Sequence, residues 1–158
     1  LVRGPNVMPG YLNDEVRTSK VLQNGWYVTG DIVAVDEDGF ITITDRLARF
    51  SKIGGEMVPH TKIEDTLHKL LDLTEQSLVV LGIPDEVRGE RLIVLHTLED
   101  EQIETLKQRM NGSELPNLWR PRQNAFLRID AIPVLGTGKL DIMQAKRIAL
   151  TYFHVQHD

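Results

Sequence analysis

The stretch SLVVLGIPDEVRGERLIVLHTL, residues 77–98, decides the fold of this chain. Its two ends are rich in Val, Leu and Ile, which is typical of buried strands, and the polar segment 84–90 joins them. Apolar residues at helical spacing predict helices on either side of this pair, at 61–71 and 101–110. The sequence therefore predicts a compact α+β domain with a small, mainly antiparallel sheet and helices packed on it.

Two glycine-containing turns predict hairpins upstream of this domain. Asp36-Glu37-Asp38-Gly39 lies between two apolar runs and marks the turn of a hairpin over 26–45. Gly54-Gly55 marks the turn of a smaller hairpin over 50–58.

Capping signals place the ends of the helices. Thr61 and Glu64 have the spacing of a capping box, which predicts that the first long helix begins at Thr61. Asn111-Gly112 is expected to end the next helix, and Asp141 is expected to cap the last one. A further strand is predicted at 123–129.

The composition is that of a chain able to bury one core. It has 158 residues, 41% of them hydrophobic, and it has no cysteine, which excludes disulfides and thiolate chemistry. No window approaches the roughly 18 apolar residues of a membrane helix. The net charge is −5 and no basic stripe is present. We therefore expect a cytoplasmic protein with no nucleic-acid partner and no direct membrane insertion by this chain.

Two histidines and one glutamate have a spacing that could hold a metal ion, but the predicted start of the helix argues against such a site. His60, Glu64 and His68 stand four residues apart, but a helix that begins at Thr61 takes His60 off the shared face. Surface histidines are therefore favoured and no metal site is predicted. His96 lies in an apolar strand and is interpreted as a core residue.

The segment Gly136-Thr137-Gly138-Lys139-Leu140-Asp141 is the strongest local signal for chemistry. A lysine behind two glycines, at the opening of a helix, can present one ammonium group to an anion. A Walker phosphate loop is excluded, because Pro133 and Leu140 occupy positions that need a glycine and a hydroxyl residue. On local sequence alone, a solvated turn remains the competing interpretation.

Motifs in a fixed order identify a resemblance over nearly the whole chain. They run from Val2-Arg3-Gly4-Pro5-Asn6-Val7-Met8 through Gly25-Trp26-Tyr27-Val28-Thr29-Gly30-Asp31, Asp45-Arg46 and Gly82-Ile83-Pro84-Asp85 to Lys139. In this order they resemble the C-terminal third of the adenylate-forming superfamily of acyl-CoA synthetases, peptide-synthetase adenylation domains and luciferases.

The resemblance implies a division of the chain. Residues 1–45 would be the β-rich C-terminal end of a large AMP-binding domain, 46–49 a hinge, and 50–158 the small mobile C-terminal domain of the adenylate-forming fold. Because the chain starts inside an apolar run at Leu1 rather than at Met, we expect it to be an excised fragment whose partner is that larger domain. The fragment alone is expected to bind no cofactor and to be inactive.

The resemblance also assigns roles to three residues, and Asp31 and Arg46 each have a simpler alternative. Lys139 would offset the negative charge that develops when ATP and a carboxylate react. Asp31 would bind the ribose hydroxyls of the nucleotide, and Arg46 the ribose and phosphate. The competing readings are a turn carboxylate for Asp31 and a surface ion pair for Arg46. Retention of all three argues against a non-catalytic binding module with the same fold.

A hinge and a loop follow in the same motif set. Arg49 stands at the position interpreted as the pivot, usually Asp or Lys in the family, and an exposed residue there could absorb the dihedral change. Lys52 with Gly54, Gly55 and Glu56 would form the loop that faces the active site after rotation and lets a pantetheine arm pass. For Lys52, an ordinary exposed strand lysine is an equal alternative.

Local variants are most similar to the family of bacterial bifunctional 2-acylglycerophosphoethanolamine acyltransferase/acyl-[acyl carrier protein] synthetases. They are the segments 49–58, 89–92 and 116–122. This implies activation of a fatty acid with ATP and Mg²⁺, transfer to acyl carrier protein, and inner-membrane association only through other domains. A fatty acyl-CoA synthetase or other adenylate-forming ligase, with coenzyme A as acceptor, is the alternative.

The carrier protein is acidic, so its docking surface should be basic. Trp119, Arg120 and Arg122 form a candidate docking edge. Equally, Trp119 could anchor a loop to the core while the arginines stay solvated.

Overall fold

The computed structural model describes residues 1–155, which form two compact units. The first unit is Leu1–Ala48 and the second begins at Arg49. Among the described residues, no helix is both long and apolar enough to cross a bilayer.

The first unit contains a short helix and two small hairpins. Its elements are helix α1, Glu15–Val21, and strands β1, Leu22–Gln23, β2, Trp26–Tyr27, β3, Asp31–Val35, and β4, Ile41–Arg46. Strand β1 pairs with β2 through a tight turn at Asn24 and Gly25, both of which have positive φ. A turn with two positive φ values matches the right-handed twist of the flanking strands.

The longer hairpin pairs β3 with β4, and its extent corrects the prediction of one hairpin over 26–45. Trp26 and Tyr27 pair with β1 instead, so the hairpin begins at Asp31. The turn is held by the Asp36 carboxylate, which accepts the backbone N–H groups of Asp38 and Phe40. Gly39 takes a φ of 85°, as the Asp-Gly pattern predicts.

The second unit is built on a five-stranded sheet. Its strands are β5, Phe50–Ile53, β6, Glu56–Pro59, β7, Leu78–Asp85, β8, Gly89–His96, and β9, Phe126–Arg128. The antiparallel order is β6-β5-β8-β7, and β9 pairs with β8 in parallel. This is the mixed, mainly antiparallel α+β architecture predicted from residues 77–98.

Helices cover both faces of the sheet. They are α2, His60–Leu70, α3, Asp100–Asn111, and α4, Ile142–Val155. Leu78, Val80, Leu92 and Val94 pack in one core with side chains of α2 and α3, while Val79, Leu81, Ile93 and Leu95 pack in a second core with side chains of α4. Every residue from Leu78 to Ile83 is therefore buried, which explains the uninterrupted apolar run of β7.

The start of α2 differs from the capping-box prediction. The helix begins at His60 after Pro59, with no side-chain cap. Glu64 is turned into the protein, where it accepts the backbone N–H of Val80 at 2.6 Å. The capping-box prediction was wrong because the Glu64 carboxylate bonds to the buried N–H of Val80 instead of to the start of the helix.

The other helix ends follow the sequence more closely. Asp141 caps α4 by accepting the N–H of Gln144 at 2.9 Å, as predicted. Helix α3 ends at Asn111 before Gly112, and its start carries a capping box of Glu99 and Gln102 that the sequence analysis missed. The strand predicted at 123–129 is shorter than expected, because residues 123–125 form a 3₁₀ turn before β9.

Candidate functional site

Asp31 and Arg46 are brought together by the pairing of β3 with β4. They are direct partners in the strand register, at the open end of the hairpin. The Oδ1 atom of Asp31 lies 3.1 Å from Nε of Arg46, and the two side chains are 16% and 65% exposed. Within the described chain this buried oxygen has no hydrogen-bond partner, so its contact with Arg46 is one of charge. The site thus offers one carboxylate oxygen with unused acceptor capacity beside a largely exposed guanidinium group.

Lys139 lies at the end of a tight hairpin. Leu135 and Lys139 are joined by an N–H to C=O bond of 2.7 Å, and the N–H of Gly138 donates to the carbonyl of Leu135 at 2.8 Å. With φ of 79° at Gly138, this is a three-residue loop closed by a glycine bulge. The loop precedes α4, whose cap is Asp141, so Lys139 does not open the helix as predicted. Its side chain is exposed and makes no hydrogen bond or ion pair with any side chain or backbone group that the structure describes.

The turn between β5 and β6 carries the predicted pantetheine loop. Gly54 and Gly55 have φ of 57° and 92°, which few residues other than glycine adopt without strain. Beyond the adjoining residues, no described atom lies within 4 Å of the position of a Cβ at either glycine. Glu56 follows on the exposed side of the turn. Lys52 is exposed, and its backbone N–H donates to Glu90 at 2.7 Å.

Arg49 is not the exposed residue that the hinge hypothesis assumed. It ends the 3₁₀ turn Leu47–Arg49 and forms an ion pair with Glu64, with the two side chains 12% and 7% exposed. Burial raises the pKa of Glu64, and the Arg49 charge and the Val80 N–H oppose that rise. The Arg49 side chain is therefore anchored within the second unit. Its assignment as the pivot remains a prediction.

A second buried polar pair, which the sequence analysis missed, lies next to this ion pair. The Oγ atom of Ser51 lies 2.8 Å from Nε2 of His60, and both side chains are buried. Burial, with the positive charges of Arg49 and Lys146, lowers the pKa of His60 to about 3. Ser51 lies in β5 and His60 at the start of α2, so only the packing of the helix on the sheet brings them together, and their separation of nine residues is no sequence signal.

Glycine is required at position 82 by the same pair. A Cβ there would lie 1.8 Å from Oγ of Ser51. The Gly82-Ile83-Pro84-Asp85 motif therefore contains one residue that is fixed by core packing.

The candidate docking edge is more buried than the sequence suggested. Trp119 is half-buried against the core on the α2 and α3 side, with the ammonium of Lys62 5.4 Å from its ring centre. Arg120 is half-buried and donates to the carbonyls of Leu115 and Ser113 at 2.8 and 3.0 Å. Of the three residues, only Arg122 is exposed. The structure thus supports the anchoring interpretation for Trp119, whereas Arg120 holds its own loop in place.

Among the side chains that the structure describes, no three His, Asp or Glu residues are grouped to hold an ion. The expectation of surface histidines is wrong for His60, which is buried. His68 instead lies within hydrogen-bond distance of the carbonyl of Glu64 and of the N–H of Ser77. His96 is buried in β8, as expected, and burial lowers its pKa.

Comparison with known proteins identifies relatives of this chain. No family model matches the chain. It is 32% identical over 158 residues to probable acyl-activating enzyme 6 of Arabidopsis thaliana, covering 94% of this chain and 27% of that protein. It is 38% identical over 148 residues to a methyl-dioxo-octahydroindenyl-propanoyl:CoA ligase of Rhodococcus jostii, covering 89% and 27%.

A solved structure agrees with these relatives. The o-succinylbenzoate CoA synthetase of Bacillus subtilis, in complex with its acyl-adenylate intermediate, matches 91% of this chain and 29% of its own with a TM-score of 0.62 and 28% identity.

The homologues and structural neighbours are adenylate-forming ligases, and the α+β fold matches their C-terminal domain. The chain spans about a quarter of the length of the curated relatives it matches.

Proposed function

We propose that this chain is the C-terminal part of an ATP-dependent adenylate-forming ligase. In such an enzyme a carboxylate oxygen attacks the α-phosphorus of ATP and pyrophosphate leaves. A thiol then attacks the acyl carbonyl, loses its proton and releases AMP. The observation that carries this proposal is the buried Oδ1 of Asp31, which lacks a hydrogen-bond donor among the described residues and faces Arg46.

The Asp31 site fits the ribose of a nucleotide. A buried carboxylate oxygen without a donor is costly, and a ribose hydroxyl is a donor that would satisfy it. Arg46, largely exposed beside it, is placed to contact ribose or phosphate oxygens of the same nucleotide. The Mg²⁺ of the reaction would be carried on the phosphates of ATP, which is how this ion usually enters such sites.

Lys139 would act in the first half-reaction. Attack on ATP concentrates negative charge on the phosphoryl oxygens, and a positioned cation stabilises that charge most in the transition state. The bonds that close the 135–139 loop fix the backbone of Lys139, while its side chain has no partner among the described residues. The loop therefore fixes the backbone from which the Lys139 side chain extends, and the ammonium group at the end of that side chain is available to a ligand.

The Gly54-Gly55 turn would act in the second half-reaction. Apart from the adjoining residues, no described atom lies near the position of a Cβ at either glycine, so a pantetheine arm could pass close to the backbone. Lys52, exposed on the adjoining strand, would contact the adenylate in this second pose. The rotation between poses would occur around residues 46–49.

For the acceptor, we propose the pantetheine thiol of acyl carrier protein, within a bifunctional enzyme that reacylates lysophosphatidylethanolamine. The support is the local variants 49–58, 89–92 and 116–122. The names of the relatives favour a second candidate, an acyl-CoA ligase that uses free coenzyme A. Both candidates share every residue role described above.

The experiment separates the two half-reactions in the full-length ligase. Lys139→Ala should slow acyl-adenylate formation, measured as pyrophosphate release from ATP and fatty acid, by at least about 100-fold. Thioester formation from presynthesised acyl-adenylate should be retained. Lys146→Ala, an exposed lysine of α4, is the matched control and should leave both steps intact.

Two results would overturn the proposal. Equal loss of both half-reactions in Lys139→Ala would indicate a general structural role. Pyrophosphate release by the 158-residue chain alone would contradict the expectation that the adenine and acyl pockets lie elsewhere. Comparing holo-carrier protein with coenzyme A as acceptor distinguishes the two candidate ligases.

A further inference from the structure

The β3–β4 hairpin contains an extra residue just before its charged pair. Counting outward from the turn, Val33 pairs with Ile43. The next pair is Ile32 with Asp45, so Thr44 is the extra residue of β4. One extra residue in one strand is a β-bulge, and it moves every later pair along by one position. The hairpin is therefore regular beside its turn and shifted by one residue at its open end.

The shift decides which side chain lies opposite Asp31. A regular register from the turn would set Asp45 there, and two like charges directly across a pair of strands destabilise the pairing. With the extra residue, Arg46 lies there instead, and its Nε is 3.1 Å from Oδ1 of Asp31. The Asp45 carboxylate accepts the backbone N–H of Arg46 at 2.7 Å. The bulge therefore replaces a repulsive pair of carboxylates with a pair of opposite charges.

The side chain of Thr44 holds the bulge. Its hydroxyl donates to the carbonyl of Ile32 at 3.2 Å, which joins the extra residue to the opposite strand. A second bond lies beyond the charged pair, where the N–H of Leu47 donates to the carbonyl of Gly30 at 2.7 Å. The charged pair is thus held on both sides, by a side-chain bond on one and by a backbone bond on the other.

We propose that Thr44 is a positioning residue for the nucleotide. Its hydroxyl holds the shifted register, and the register sets the guanidinium of Arg46 against the carboxylate of Asp31. A carboxylate that binds ribose must keep its free oxygen in one place, because a hydrogen bond weakens steeply when its angle departs far from linear. Backbone pairing alone specifies the register weakly in a two-stranded hairpin whose side chains are mostly exposed.

This inference rests on the proposed function, because it adds a residue to the ribose site assigned there. Valine has nearly the shape of threonine but no hydroxyl, whereas serine keeps the hydroxyl and loses the methyl group. Variants of Thr44 can therefore separate the hydrogen bond from the shape of the side chain.

The test measures acyl-adenylate formation by the full-length ligase, as pyrophosphate release with ATP, 2′-deoxy-ATP and 3′-deoxy-ATP. The wild-type KM for at least one deoxynucleotide should exceed that for ATP by about tenfold or more, because the free oxygen of Asp31 loses its donor. Thr44→Val should raise the KM for ATP about three- to fivefold, with a smaller change in kcat, and the KM for that deoxynucleotide by less than about twofold. Thr44→Ser should restore the wild-type values, and Thr42→Val, at an exposed position of the same strand, should not change them.

The outcomes separate this inference from the proposed function. A wild-type preference for ATP that Thr44→Val leaves unchanged overturns the inference alone. An equal rise of KM for all three nucleotides does the same, because it would indicate a general loosening of the hairpin, and so does a Thr44→Ser variant as impaired as Thr44→Val. Equal KM values for the three nucleotides in the wild-type ligase would contradict the ribose-binding role of Asp31, and both proposals would fail.

Discussion

Removing the positive partner of the buried Arg49–Glu64 pair should destabilise the second unit strongly. Arg49→Met keeps most of the side-chain volume but leaves the Glu64 carboxylate, 7% exposed, with the Val80 N–H as its remaining bond. Breaking a buried pair from one side costs about 3–5 kcal/mol. That is a large share of the roughly 5–15 kcal/mol that stabilises a typical domain.

The loss should depend on pH in a defined direction. Burial already raises the pKa of Glu64, and without Arg49 the pKa rises further. Protonation of the carboxyl group then relieves the cost, so Arg49→Met should be less destabilising near pH 5 than near pH 8. Each unit by which the pKa is raised corresponds to about 1.4 kcal/mol between the two protonation states.

The free energy of unfolding is measured at both pH values by urea titration, with far-ultraviolet circular dichroism as the signal. Glu104→Gln is the control, because Glu104 forms an exposed pair with Lys107 and its loss should cost no more than about 0.5 kcal/mol. Arg49→Met combined with Glu64→Gln should recover part of the stability, since no buried charge is left. A loss below about 1 kcal/mol in Arg49→Met, equal at the two pH values, would refute the reasoning.

Three further predictions follow from single positions. Gly138→Ala should lower the free energy of unfolding by about 1–2 kcal/mol because the φ of Gly138 is 79°. Gly136→Ala is the control and should be nearly neutral, because the space around Gly136 is open. Equal shifts of the melting temperature in the two variants would contradict the glycine bulge. Because the pKa of His60 falls to about 3 on folding, the folded chain does not take up a proton that the unfolded chain binds below about pH 6.5. Stability should therefore fall by about 1.4 kcal/mol per pH unit from 6.5 toward 3 relative to His60→Gln, and parallel curves for the two proteins would exclude this. Gly82→Ala should cost about 1–3 kcal/mol by overpacking against Ser51, and Gly112→Ala, where the nearest atom is 3.8 Å away, is its control in the same melting experiment.

The elements that the sequence predicted well are those with a repeated pattern. The apolar run of β7 and the apolar stripe of α3 each contain several residues that indicate the same element, so one exception does not change the predicted structure. The Asp-Gly and Gly-Gly turns were equally clear because few residues accept positive φ.

The errors arose where one side chain had two possible partners. Glu64 satisfied a capping pattern, but it bonds instead to Val80 and Arg49, which lie 16 and 15 residues away. Local spacing cannot reveal such a competition, because the second partner is set by how the helix packs on the sheet. The same limit applies to Arg49, which has the sequence context of an exposed linker and the environment of a core residue.

The candidate site was predictable in part for the same reasons. The turn predicted the hairpin that contains Asp31 and Arg46. A regular register from that turn would place Asp31 opposite Asp45, and only the register shift between Ile32 and Val33 makes Arg46 its partner. The cleft that Arg88 and Arg122 both line was not predictable, since the two residues are separated by 34 positions and only the fold brings them to one cleft. An arginine pair of this kind has no spacing signature.

The β3–β4 hairpin has a consequence for handling the chain. Val35, Phe40, Ile41 and Ile43 are exposed on a ladder of only two strands. Open strand edges that carry exposed apolar side chains pair readily with copies of themselves. Concentrated samples of the chain should therefore oligomerise through this hairpin, and one charged side chain in place of Ile41 should restore monodispersity without reaching either core of the second unit.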